Sequence, residues 1–117
     1  MMNEPMIRGE NSGDVLILTL AIDHLDAGNS AAFRTQASPL AQSALKVVFD
    51  LTGVRFIDSA GLGVMLSLVR NLGERGGELR VCCVAKPIQV LFELVRLHKI
   101  LNIHGTRAEA IAALEQA

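Results

Sequence analysis

The sequence has no Trp or Tyr and only four Phe, so stacking-based recognition of single-stranded nucleic acid has almost no material to work with. Net charge is -1, and the Lys and Arg residues are scattered without forming the basic stripe a duplex-binding protein needs. No stretch reaches the ~20 consecutive apolar residues of a membrane span. Residues 1–13 lack the basic start and apolar core of a signal peptide. The two cysteines, Cys82 and Cys83, are adjacent in the chain. On a strand such neighbours point to opposite faces, which argues for two reduced thiols, one in the core and one outside. These absences point to a cytoplasmic protein with no membrane insertion and no nucleic-acid partner.

What is present is aliphatic: half of the 117 residues are hydrophobic, enough for one well-buried domain and against disorder. Val15 to Ala21 and Leu45 to Leu51 are short apolar runs of buried-strand type, and Glu78 to Val84 is a third. Asp26 to about Ala44 reads as a helix interrupted or ended near Pro39. From Ala60 to about Arg75, the residues Leu62, Met65, Leu66, Val69 and Leu72 recur with helical spacing and predict one buried face. Val64 and Leu68 then project to the more polar side. Ile88 to Leu97 predicts a short helix after Pro87, and Ile100 to Ile103 a short strand. Thr106 to Glu109 matches a capping box that opens a last helix. The alternation predicts a single α/β domain: a mixed, mostly parallel sheet of four to five strands with about four helices. Residues 1–13 read as a flexible arm or an edge strand, and 14–117 as the domain.

In such folds chemistry gathers where strands end and helices begin. One junction is unusual: Phe56-Ile57-Asp58-Ser59-Ala60-Gly61-Leu62-Gly63. Asp58 suits an N-cap, with Ser59 in the first helical turn. Two glycines so early in a helix each cost about 1 kcal/mol relative to alanine. They would let another protein approach Ser59, or serve tight packing of helix on sheet.

The segment resembles the signature of the anti-sigma factor antagonists of the STAS domain family, in which an aspartate precedes a phosphorylated serine, a small residue, Gly, Leu and Gly. Val47 to Leu51, Gly76 to Leu79 and Leu91 to Leu101 are similar to flanking parts of the same family, and Asp23 matches an aspartate of its early loop. Where the family often carries Ser or Thr after the phosphoserine, this chain has Ala60, which leaves Ser59 as the acceptor. The resemblance implies an anti-sigma factor antagonist without enzymatic activity or cofactor. It would bind an anti-sigma factor with serine kinase activity, be released by phosphorylation of Ser59, and be restored by a serine phosphatase. The implied contact set is Asp23, Asp58, Ser59, Ala60, Gly61 and Gly63. Val64 and Leu68 join it as an expected apolar centre beside Ser59. A phosphate brings about -1.5 to -2 charges, tolerable at a helix N-terminus but repulsive in an interface next to Asp58.

Two rivals share the fold. A STAS accessory subunit of a transporter or signalling complex would bind a partner without a phospho-switch. A phospho-aspartate receiver would use an acid such as Asp50 with Lys86-Pro87, but it needs paired early acids, and Asp23 is followed by His24. His24, His98 and His104 show no metal-ligand spacing.

Overall fold

The computed structural model describes residues 5–116. The strands are β1 (Ile7–Ser12), β2 (Val15–Leu20), β3 (His24–Leu25), β4 (Lys46–Asp50), β5 (Phe56–Ile57), β6 (Glu78–Cys82) and β7 (Asn102–His104). The helices are α1 (Ser30–Gln42), α2 (Ser59–Glu74), α3 (Lys86–Leu94) and α4 (Arg107–Glu115). The main sheet runs β1-β2-β4-β6-β7, with β1 antiparallel to β2 and every other pairing parallel. Strands β3 and β5 form a separate parallel two-stranded ribbon. The fold is therefore the expected α/β domain with a mixed five-stranded sheet and four helices.

Both faces of the sheet are covered, which is why its strands read as continuous apolar runs instead of alternating ones. Leu16, Leu18, Val47, Phe49, Leu79 and Val81 face the larger core, shared with Phe33 and Ala37 of α1, Met65 and Leu72 of α2 and Phe92 of α3. The Phe33 and Phe49 rings meet edge to face, with centroids 6.4 Å apart. Val15, Ile17, Val48 and Cys82 point the other way, onto Ala110 and Leu114 of α4. Thr106 and Glu109 form the expected capping box at the start of α4.

Of the two readings of residues 1–13, the edge strand is the one seen, at Ile7–Ser12 (β1); Met1 to Glu4 lie outside the described residues. Other details differ from expectation. Helix α1 passes through Pro39 and ends at Gln42, because Phe33, Ala37 and Ala41 are buried along one side and hold the last turn to the core. The helix expected to reach Leu97 ends at Leu94, a 3-10 turn follows at Leu97–Lys99, and the final strand, β7, starts two residues later than expected, at Asn102. Cys82 and Cys83 are free thiols, but they do not face opposite ways. Cys83 has a φ of 62°, which ends the strand and swings its side chain onto the α4 side with Cys82.

On that same side, one ion pair ties distant parts of the chain together. The Arg107 guanidinium donates to Asp50 Oδ2 through Nε at 3.0 Å and Nη2 at 2.8 Å, to Glu10 Oε1 at 2.8 Å, and to Thr19 Oγ1 at 2.9 Å. Asp50 is only 4% exposed, and its Oδ1 accepts from the backbone and hydroxyl of Thr52. Burial alone would raise its pKa, but the hydrogen bonds from Thr52 and Arg107 outweigh that and hold it below the ordinary carboxylate value. Asp50 is thus an interior structural ion. It approaches the two cysteine sulfurs within 4.8 Å. Its oxygens are already engaged, however, and burial pushes the Cys82 thiol far up, so this trio is poorly suited to hold a cation.

Candidate functional site

Alternation in the two-residue β5 sends Ile57 inward, 3% exposed, and Phe56 outward. Its neighbour in β3 does the same: Leu25 is buried and His24, paired with Phe56, is exposed. The ribbon places the start of α2 with little freedom. Asp58 donates its backbone N–H to Leu25 O at 3.2 Å, and Arg55 donates to Asp23 O at 2.7 Å.

Asp58 is the N-cap of α2, and its two oxygens do different work. Oδ1 accepts from the backbone N–H of Ala60 at 2.9 Å and of Gly61 at 3.0 Å. Oδ2 accepts from the N–H of Ala27 at 3.0 Å, which fastens the loop after β3 to the helix. The Gly61 bond is the main reason the carboxyl sits below its usual pKa, with the Ala27 and Ala60 bonds adding to it. Ser59 follows as the first helical residue and is exposed. Of the helix amides that would welcome an anion at this terminus, those of Ala60 and Gly61 are therefore already taken by Asp58. That alters the expectation that α2 itself receives a phosphate on Ser59.

The two glycines separate. A Cβ on Gly61 would lie 2.3 Å from Leu25 O and 2.9 Å from Ile57 Cγ2, so its bareness serves packing of α2 on the ribbon. Gly63 is exposed, and a Cβ there would meet nothing within 4 Å.

Val64 and Leu68 require a correction. They are 4% and 3% exposed and belong to the core, where the buried face of α2 is Gly61, Val64, Met65, Leu68 and Leu72. Leu62, Leu66 and Val69 pack against that core only in part. Two stripes of α2, one residue apart, satisfy helical spacing. The structure selects the one containing Gly61, a residue that hydropathy does not mark. Val64 and Leu68 therefore cannot be the apolar centre of an exposed contact. A cleft of about 550 Å³ lies beside the helix start, lined by Arg34, Thr35, Ala60, Gly63 and Val64 among others.

Asp23 and His24 are exposed and bonded to each other, Oδ1 to Nδ1 at 2.7 Å. This bond lowers the Asp23 pKa and raises that of His24. The ribbon thus brings Asp23, Asp58, Ser59, Ala60 and Gly63 to one end of the molecule, with Gly61 buried beneath them. Phe56, 54% exposed, joins them there, and the sequence reading did not single it out. The signal available was alternation: with Ile57 inward, Phe56 had to point out.

The STAS domain family model matches residues 7–110. The chain belongs to the STAS domain family. An anti-sigma F factor antagonist of Paenibacillus polymyxa is 33% identical over 111 residues, covering 93% of this chain and 94% of that protein. An anti-sigma-factor antagonist (STAS) domain protein from Planctomyces limnophilus superposes with a TM-score of 0.85 at 19% identity, over 93% of this chain and 97% of that one. SpoIIAA, the Bacillus cell fate determinant, superposes in its phosphorylated form with a TM-score of 0.67 at 21% identity, over 92% and 97% of the two chains. Among the described residues no helix is long and apolar enough to cross a membrane.

Proposed function

We propose that the chain is a cytoplasmic anti-sigma factor antagonist, itself not an enzyme, whose partner is an anti-sigma factor with serine kinase activity. The unmodified chain captures that factor and frees a sigma factor. Phosphorylation of Ser59 ends the capture, and a serine phosphatase restores it. Asp23, Asp58, Ser59, Ala60 and Gly63 form the contact end. The observation that carries this reading is the exposed Ser59 at the first position of α2, beside an Asp58 that already fills the Ala60 and Gly61 amides. The relative from Paenibacillus polymyxa, named as an antagonist of this type, and the phosphorylated form of SpoIIAA support it.

The physics follows from the occupied cap. A phosphate on Ser59 adds about -1.5 to -2 charges next to the Asp58 carboxylate. With the cap amides engaged, the new charge is left facing outward, toward solvent or toward a docked partner. In water it is well solvated and the fold survives. Under a partner it is desolvated beside a like charge, which favours release. Intact-mass spectrometry with peptide mapping on protein from its native cells tests the reading. The expected result is a phosphate on Ser59 that phosphatase removes, and a Ser59→Asp chain that no longer binds the anti-sigma factor. Native-tight binding by Ser59→Asp would refute the charge argument. A chain unmodified across growth and stress conditions would favour a constitutive accessory subunit.

A further inference from the structure

We infer that Phe56 is the apolar anchor of the docking surface, seated in an apolar pocket of the anti-sigma factor. The inference rests on the function proposed above and replaces the centre that Val64 and Leu68 cannot supply.

The other three Phe, at 33, 49 and 92, are fully buried, whereas Phe56 is 54% exposed. Its exposure is imposed by the fold: Ile57 and Leu25 occupy the inward side of the ribbon and leave Phe56 and His24 to share the outward side. Phe56 lies three positions before Ser59, at most about 10 Å of chain, so one partner can cover both. His24 is paired with Phe56 on the neighbouring strand, the exposed Asp23 precedes it, and Asp58 and Ser59 follow along Phe56's own chain. An aromatic centre with a polar rim is the usual anatomy of a specific protein interface, and aromatic residues dominate the binding energy of such surfaces. The other large exposed apolar residues are aliphatic: Leu45, and Val90, Leu94, Val95 and Ile100 on α3 and the segment after it, none of them near Ser59 in the chain. A phosphate on Ser59 would then lie at the edge of the patch where Phe56 is desolvated, which ties the anchor to the switch.

The experiment is a binding titration of the full chain with the source cell's own anti-sigma factor, purified separately, using native, Phe56→Ser, Phe56→Leu and Leu94→Ser chains. Phe56→Ser should weaken binding by ~30-fold or more. Phe56→Leu should recover part of that loss, Leu94→Ser should bind like the native chain, and all melting temperatures should stay close together. Native-like binding by Phe56→Ser overturns the anchor while leaving the proposed function standing. A sharp drop in its melting temperature also overturns the anchor, assigning Phe56 to the fold. A native chain that binds no anti-sigma factor refutes the proposed function and the anchor with it.

Discussion

Substituting alanine at Gly61 and at Gly63, two residues apart on α2, should move stability in opposite directions. At Gly61 the added methyl would stand 2.3 Å from a backbone oxygen, Leu25 O, and 2.9 Å from Ile57 Cγ2. A backbone carbonyl has no rotamer with which to yield, so the helix start must lift off the β3–β5 ribbon. Overpacking of this kind costs typically ~1–3 kcal/mol. The upper part of that range applies because the obstruction is main chain, and about 1–2 kcal/mol remains after subtracting the ~1 kcal/mol that alanine gains over glycine in a helix. At Gly63 nothing stands within 4 Å, and only the helix gain of about 0.5–1 kcal/mol remains. For a domain of this size 1 kcal/mol shifts the melting temperature by roughly 4 °C. Gly61→Ala should therefore melt roughly 4–8 °C lower than the native chain, and Gly63→Ala roughly 2–4 °C higher. Calorimetry on the two variants reads both shifts. A Gly61→Ala chain as stable as the native one would show that the helix–ribbon contact is looser than described. A destabilised Gly63→Ala would show that its open side is occupied. If Gly63 lies in the docking surface, its alanine variant should also bind the anti-sigma factor more weakly despite its greater stability.

The Arg107 ion pair and the ribbon give further tests. Arg107→Ala strands the carboxylate of Asp50 in the interior with only Thr52 to bond it, and urea unfolding should report a loss of about 2–4 kcal/mol. Because the folded pKa of Asp50 is depressed, its contribution is present above the ordinary carboxylate value and is lost as pH falls through the folded one. The gap between native and variant should therefore narrow below about pH 4, and a gap that does not change there would exclude Asp50 as the source. His24 has the opposite sign: its folded pKa is raised by Asp23, so the pairing is complete below pH 6.5 and is lost as pH rises through the folded value. An NMR titration should place the His24 midpoint above 6.5, and Asp23→Asn should return it toward 6.5.

How much could be read beforehand depended on how far each determinant lies along the chain. Strands β2, β4 and β6, the capping box at Thr106 and the Asp58 cap are set by neighbouring residues, and local pattern finds them. The buried face of α2 is not local. Its choice between two apolar stripes turns on Gly61 fitting against Leu25, and hydrophobic periodicity gives no weight to a glycine. The same ribbon is too short to announce itself, with two residues in each strand, yet it determines that Phe56 is outside. Asp50 looked like an acid available for chemistry because its partner, Arg107, lies 57 residues away and on another element. Cys83 was expected on the face opposite Cys82, and the left-handed turn that reverses it has no glycine or asparagine to signal it.

Arg107 has a consequence for the order in which the molecule can assemble. A chain growing from its N-terminus makes Glu10, Thr19 and Asp50 long before the guanidinium that binds all three. Until then the face later covered by Ala110 and Leu114 stays open, with Val15, Ile17 and Val48 exposed on it and Asp50 without its cation. Docking of α4 neutralises the acid and seals the second core in one event, so the domain should lock after synthesis of that helix rather than strand by strand.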